Sequence, residues 1–288
     1  MSELPQPPSF LLLCSTGRAG STLTMRILSQ HQDVMVRDRF PYETRFRQYA
    51  EAGALNGSVS VSQAPEPHGP VAYAPCQGED QEAIEWIREQ GARHAPSAGA
   101  ALAFYKHLAD AQDKTTPRWI AEKAIGIKLS THLLETDPQC RALFLFRDPR
   151  DVYFSMKAFN RKAPYSSGFG ETNGNEAMFR SIVYSWRRFT QLRQAFPGRI
   201  YRCNYESITA GRAAYFQRLF EWLGVRNDLP YLRQMLRQAL ERDPLTEHHS
   251  TTESAEQSIG RWQTEADDQD RALFLSFASD IAAMGYDV

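Results

Sequence analysis

No apolar run in this sequence approaches the ~20 residues that a membrane-spanning helix needs. The longest early one, Phe10 to Cys14, falls far short. The opening residues Met1-Ser2-Glu3-Leu4-Pro5 carry no basic n-region, so a secretory signal is not expected. A surplus of one charge is also missing: 33 Lys and Arg stand against 34 Asp and Glu, for a net charge of −1. That balance argues against a general nucleic-acid coat and leaves room for a local basic pocket that takes a small anion. Cysteine is scarce, at 4 residues. Cys14, Cys76, Cys140 and Cys203 form no CxxC pair, and three lie in or beside apolar runs. Buried free thiols in a reducing cytoplasm are expected, rather than disulfides or metal ligands. There is no internal repeat.

What is there is ordinary globular material. The 288 residues are 42% hydrophobic and 23% charged, enough to bury a sizeable core in one large domain or a domain with insertions. Short apolar runs alternate with longer amphipathic ones, the pattern of an α/β fold. Strands are expected over residues 9–15, 118–123, 141–146 and 199–204. Helices are expected over 21–31, 149–160, 175–195, 212–223, 229–240 and 267–283, with Pro149 at a helix start where its missing N–H costs nothing. Residues 55–78 and 161–174 read as long Gly-, Pro- and Ser-rich loops, and the second is a candidate lid. A polar stretch, 243–258, separates two late helices.

The most informative segment joins the first strand to the first helix through Ser15-Thr16-Gly17-Arg18-Ala19-Gly20-Ser21-Thr22. The first N–H groups of a helix have no internal partner, and the helix dipole favours negative charge there. Ser21 and Thr22 add hydroxyls and Arg18 a cation, so the turn is a cradle for phosphate. An ordinary glycine turn would use the same glycines. The pattern departs from GxxxxGK[ST]: no Lys follows Gly20 and the glycines are too close together. A kinase or ATPase would need that Lys and a Mg²⁺-holding acid.

A second segment, Phe146-Arg147-Asp148-Pro149-Arg150-Asp151-Val152-Tyr153-Phe154-Ser155, follows a buried strand. Arg147 at the strand end and Ser155 two turns into the helix converge where open α/β sheets bind ligands. A surface network of Arg–Asp pairs is the alternative.

Together these segments resemble the sulfotransferases that use 3′-phosphoadenosine 5′-phosphosulfate (PAPS). Arg18-Ala19-Gly20-Ser21-Thr22 is similar to the family's 5′-phosphosulfate loop, and Arg147 to Ser155 to its 3′-phosphate motif. Asn204-Tyr205-Glu206-Ser207-Ile208, Leu219 to Val225 and Ser258-Ile259-Gly260-Arg261-Trp262 look like further family stretches, so that only an insert at about residues 55–111 lies outside the likeness. The resemblance implies an α/β fold of one P-loop-like domain, with a central parallel sheet flanked by helices on both faces and a helical insert. It implies that Gly17, Arg18, Ala19, Gly20, Ser21 and Thr22 hold the 5′-phosphosulfate. Arg147 and Ser155 would hold the 3′-phosphate, Tyr205 would lie near the nucleotide, and Ser258 and Arg261 would close over it. Adenosine 3′,5′-bisphosphate (PAP) would be the product, and no metal would be needed.

Sulfuryl transfer to a hydroxyl needs a base at the acceptor and positive charge at the leaving phosphate. Phe40-Pro41-Tyr42-Glu43-Thr44-Arg45 is similar to a Glu-Thr-Arg of tyrosylprotein sulfotransferases and to a P-x-E of bacterial members, which makes Glu43 the candidate base. The same Glu43 would also suit an exposed helix N-terminus. His132 is the second candidate, although Lys128 and His132 are spaced differently from the Lys-Thr-His of small-molecule sulfotransferases. Lys123 matches a Lys that stabilises the transferring group, and Arg18 would serve beside it. Arg37, Arg39, Arg45 and Arg47, interleaved with Phe40, Tyr42 and Phe46, suggest an anionic acceptor that meets Arg39, Tyr42 and Arg45, or else a solvated helix face. The acceptor is a hydroxyl compound: carbohydrate, lipid-linked sugar, small phenol or tyrosine peptide. An ATP-dependent kinase with an atypical loop, or a non-catalytic adenine-nucleotide module, are the competing readings. A cytoplasmic, bacterial-type enzyme that binds no nucleic acid and spans no membrane is expected.

Overall fold

The computed structural model describes residues 7–38, 42–43, 45–48, 98–124, 126–162, 174–241 and 250–288. Five parallel strands make its sheet, in the order β2-β3-β1-β4-β5. They are β1 (Ser9–Ser15), β2 (Val34–Met35), β3 (Trp119–Lys123), β4 (Arg141–Phe146) and β5 (Ile200–Asn204). β1 pairs Leu13 with Lys123 on one side and with Leu143 on the other.

Parallel strands are buried on both faces, which is why they read as unbroken apolar runs. Successive side chains then serve opposite cores. Phe10, Leu12, Cys14, Phe144 and Phe146 pack on one face against α2 (Ala98–Ala111), α3 (Ile127–Thr136) and α5 (Gly174–Ala195). Leu11, Leu13, Leu143 and Leu145 pack on the other against α1 (Ser21–Ser29), α7 (Ala213–Leu223) and α8 (Leu229–Leu240). Each such leucine contributes about 1.5–3 kcal/mol on burial. A third cluster joins Ala19 of the β1–α1 turn to α4 (Pro149–Lys162), α5, α10 (Asp268–Ser276) and α11 (Ala278–Met284). Short helices α6 (Tyr205–Thr209) and α9 (Trp262–Glu265) and a 3-10 turn at Glu256–Ser258 complete the described elements.

Two expectations are corrected. The helix expected over 21–31 ends at Ser29, where the N–H groups of Gln30 and His31 bond back only to Ile27 and Leu28. The single helix expected over 267–283 is two. Phe277 leaves helical geometry at φ −114° and ψ 17°, and its carbonyl accepts the first N–H groups of α11, from Asp280 and Ile281 at 3.0 Å each. β2 and α6, of 2 and 5 residues, are too short to carry a pattern of their own, and α3, though amphipathic with Leu129, Leu133 and Leu134 buried, was not among the expected helices. Cys14, Cys140 and Cys203 are buried free thiols. Cys76, most of the insert, and residues 163–173 of the candidate lid lie outside the described residues. None of the described helices is long and apolar enough to cross a membrane.

Candidate active site at the carboxyl end of the sheet

Chain connections run one way from β1 and the other way from β4, so the carboxyl ends of these two strands form the crevice where open α/β sheets take ligands. The turn after β1 is tight. Arg18 has φ 64° and Gly20 φ 97°, both in the left-handed region. Only glycine fits at position 20, because a Cβ there would stand 2.3 Å from Cδ2 of Tyr205. The N-terminus of α1 has no side-chain cap and no acidic residue in its first turn, which leaves its dipole open to an anion.

From β4 comes Arg147, 5% exposed. Its Nη1 donates to the Arg18 carbonyl at 3.4 Å and its Nη2 to the Ser258 carbonyl, and its guanidinium lies 4.5 Å over the Tyr205 ring. Its Nε is buried without a hydrogen-bond partner among the described residues. Arg18 Nε donates to Ser155 Oγ at 3.4 Å. Ser155 Oγ lies 3.3 Å from Thr251 Oγ1, which accepts from Arg261 Nη1 at 3.0 Å. Burial first, then repulsion from Arg147 and Arg261, lowers the Arg18 pKa to about 10. Arg261 is also paired with Glu265. Tyr205 Oη meets Ser258 Oγ at 3.0 Å.

A second group sits on the neighbouring strand. Lys123 Nζ is 3.0 Å from Oε1 of Glu43, and Arg45 Nη2 is 2.7 Å from its Oε2. Glu43 is 3% exposed and Arg45 5%.

A profile of the sulfotransferase family matches residues 11–228. The chain belongs to the sulfotransferase family. No curated protein sequence matches it. Solved structures agree in fold. The sulfotransferase domain of the curacin biosynthetic pathway gives a TM-score of 0.60 at 14% identity, covering 99% of this chain and 100% of that one. The sulfotransferase domain of the Synechococcus PCC 7002 olefin synthase gives 0.56 at 20%, covering 99% and 98%. Retinol dehydratase, solved with androsterone and the inactive cofactor PAP, gives 0.51 at 13%, covering 96% and 82%.

Within this family fold, Arg18, Gly20, Arg147, Ser155, Tyr205, Ser258 and Arg261 form one connected group, and Glu43, Lys123 and Arg45 another. Gly17, Ala19, Ser21 and Thr22 line the turn between them. Arg39 lies outside the described residues. Tyr42, expected to meet the acceptor, is 6% exposed, buried like its neighbour Glu43, has φ 62° and packs in the cluster with Leu11 and Leu13. Glu43 is buried rather than an exposed helix-start carboxylate, and of the arginines around it Arg37 and Arg45 are buried and Arg47 half-buried. Arg37 is 4% exposed and Arg47 lies 5.3 Å over the Phe10 ring. His132 sits in the middle of α3, half-buried, rather than at its start.

Sequence reasoning missed Thr251, which links Ser155 to Arg261 from within the polar stretch. It also missed Asp151, whose carboxylate accepts the Gly260 and Trp262 N–H groups at 2.7 and 3.2 Å. A cavity of about 310 Å³ opens beside Ser15, Thr16 and Gly17, walled by Ile127, Met156 and Phe189. A larger one, about 1450 Å³, lies at the amino ends of the strands around Trp119 and Arg141, away from the crevice where this fold places its chemistry.

Proposed function

We propose that this chain is a PAPS-dependent O-sulfotransferase. The gathering of Arg18 and Arg261 on the Ser155 and Thr251 hydroxyls, with Arg147 on the Arg18 carbonyl, carries this reading. Like charges packed in a poorly solvated crevice call for an anion, and the unsatisfied Arg147 Nε offers it a donor. The donor, when bound, supplies the sulfuryl group and departs as PAP.

Arg147 and Ser155 hold the 3′-phosphate, with Ser258 and Arg261 closing over it. The turn from Gly17 to Thr22 holds the 5′-phosphosulfate through backbone N–H groups, the two hydroxyls and Arg18. Glu43 accepts the proton of the acceptor hydroxyl. Arg45 stays on Oε2 and keeps the carboxylate aimed. Lys123 exchanges Oε1 of Glu43 for the leaving oxygen, which frees Oε1 for the proton and puts positive charge where negative charge develops.

Thermal unfolding with PAP, with ATP–Mg²⁺ and without ligand tests the donor site, on wild type and Arg147→Ala. PAP at a hundred times its Kd stabilises by about 2.7 kcal/mol. Stabilisation by PAP that Arg147→Ala abolishes supports the reading. Stabilisation by ATP–Mg²⁺ alone, or by neither, rejects it.

A further inference from the structure

Glu122 stands next to Lys123 on β3, so the two side chains leave the strand on opposite faces. Both nonetheless reach the segment that carries Glu43. Glu122 is 0% exposed, and burial pushes its carboxyl up. A carboxylate so placed is costly unless each oxygen is satisfied. Here Oε1 accepts the Tyr105 hydroxyl of α2 and the Arg47 N–H at 2.7 Å. Oε2 accepts the Gln48 N–H at 3.2 Å and Gln48 Nε2 at 3.0 Å. Gln48 Nε2 donates also to the Lys123 carbonyl at 2.9 Å, and the Phe46 N–H donates to Tyr105 Oη at 3.3 Å. Three successive amides, of Phe46, Arg47 and Gln48, are thus held by Tyr105 and Glu122. Residues 46–48 form a helical turn that starts directly after Arg45.

We propose that Glu122 is a positioning residue: it pins the 46–48 turn to the end of β3 and so sets the reach of Glu43 and Arg45 toward Lys123. The dipeptide grips one segment twice, by its backbone through Glu122 and by its carboxylate through Lys123 at 3.0 Å. Glu122 touches no reacting atom and acts through Glu43. The inference rests on Glu43 being the base.

Glu122→Gln tests it. The new amide NH₂ faces backbone N–H groups that can only donate, so the turn loosens while side-chain size is kept. Deuterium uptake over residues 42–48 should rise about tenfold or more in rate, with residues 15–22 unchanged. PAP affinity should stay within about twofold. With 4-nitrophenol as the probe acceptor, kcat should fall roughly 10–100-fold at unchanged donor KM, and by less than about threefold when Glu43 is already Gln. Tyr105→Phe, which removes one bond and keeps the carboxylate, should change exchange and kcat in the same direction by a smaller factor, and serves if Glu122→Gln does not fold. Unaltered exchange over 42–48 in both variants, or an equal loss of turnover with and without Glu43, overturns the proposal. Failure of PAP to bind wild type rejects the donor site instead, and the exchange measurement still decides the anchor.

Discussion

Glu43 and Lys123, 80 residues apart in the chain, form an ion pair of 3.0 Å at the carboxyl end of β3. As the proposed base and transition-state cation, the two must part for chemistry to occur, which leaves Arg45 on the carboxylate. Glu43→Gln should lower kcat by about 10²–10⁴, as expected for a lost general base. Lys123→Ala should lower it by about 10²–10³ through lost charge stabilisation. Neither should change PAP affinity by more than about twofold, because the residues proposed to hold the nucleotide lie after β1 and β4 and in the C-terminal stretch. Steady-state rates and calorimetric titration with PAP check this. Wild-type turnover in Glu43→Gln would remove it as the base and return attention to His132.

Gly20 makes a separate prediction. Its φ of +97° costs any side chain about 1–2 kcal/mol, and a Cβ would also meet the Tyr205 ring at 2.3 Å. The ring cannot retreat without disturbing Arg147, which lies 4.5 Å over it, and Ser258, which bonds its hydroxyl at 3.0 Å. Gly20→Ala should therefore lower Tm and weaken PAP binding together. Tyr205→Ala opens the space, so the double variant should lose less than the sum of the two single losses, since contacting residues couple. Additive losses would show that the ring does not confine this turn.

The strands were legible because a parallel sheet buried on both faces demands unbroken apolar runs, and Phe10 to Cys14 and Ala142 to Phe146 are such runs. The phosphate turn and Arg147 were legible because they lie directly after those runs, where local chemistry and position in the fold coincide. Thr251 was not. It carries no periodicity, and its meaning comes from Ser155, 96 residues away. Glu122 and Gln48 are likewise 74 residues apart, and only the folded chain puts them together. The break at Phe277 was hidden because α10 and α11 both present apolar faces, Phe274 and Ile281, to the same cluster.

Away from the site, His31 couples stability to pH. It is 0% exposed, its Nε2 lies 2.8 Å from the Arg226 carbonyl, and its Nδ1 accepts the Asp33 N–H at 3.1 Å. One nitrogen donates and the other accepts, so the ring is neutral, and burial lowers its pKa from the ordinary 6.5. The unfolded chain then binds this proton more readily than the folded one. Stability should be flat in this term above about pH 6.5 and fall as the pH drops below it. Urea unfolding between pH 7.5 and 5 should show the decline, and His31→Gln should make it shallower. An identical slope in the variant would mean that His31 stays neutral in both states or titrates alike in both.

Asp151 ties the C-terminal stretch, proposed to close over the nucleotide, to the start of α4. It is 1% exposed at the start of α4 and accepts the N–H groups of Gly260 and Trp262, while the neighbouring Arg150 guanidinium lies 3.7 Å over the Trp262 ring. The residues between and beside these anchors are Ser258, whose carbonyl takes Arg147, and Arg261, which reaches Thr251. Removing the carboxylate leaves two N–H groups unpaired and lets Ser258 and Arg261 drift together, with the β1 turn untouched. Asp151→Ala should raise the PAP Kd about tenfold, or about 1.4 kcal/mol. The change should appear chiefly as faster dissociation, because related complexes differ mostly in off-rate. Asp151→Asn, which keeps one acceptor oxygen, should fall between the two. Stopped-flow displacement of PAP measures the off-rate directly. An Asp151→Ala protein that folds and releases PAP at the wild-type rate would show that the 258–262 stretch plays no part in holding the nucleotide.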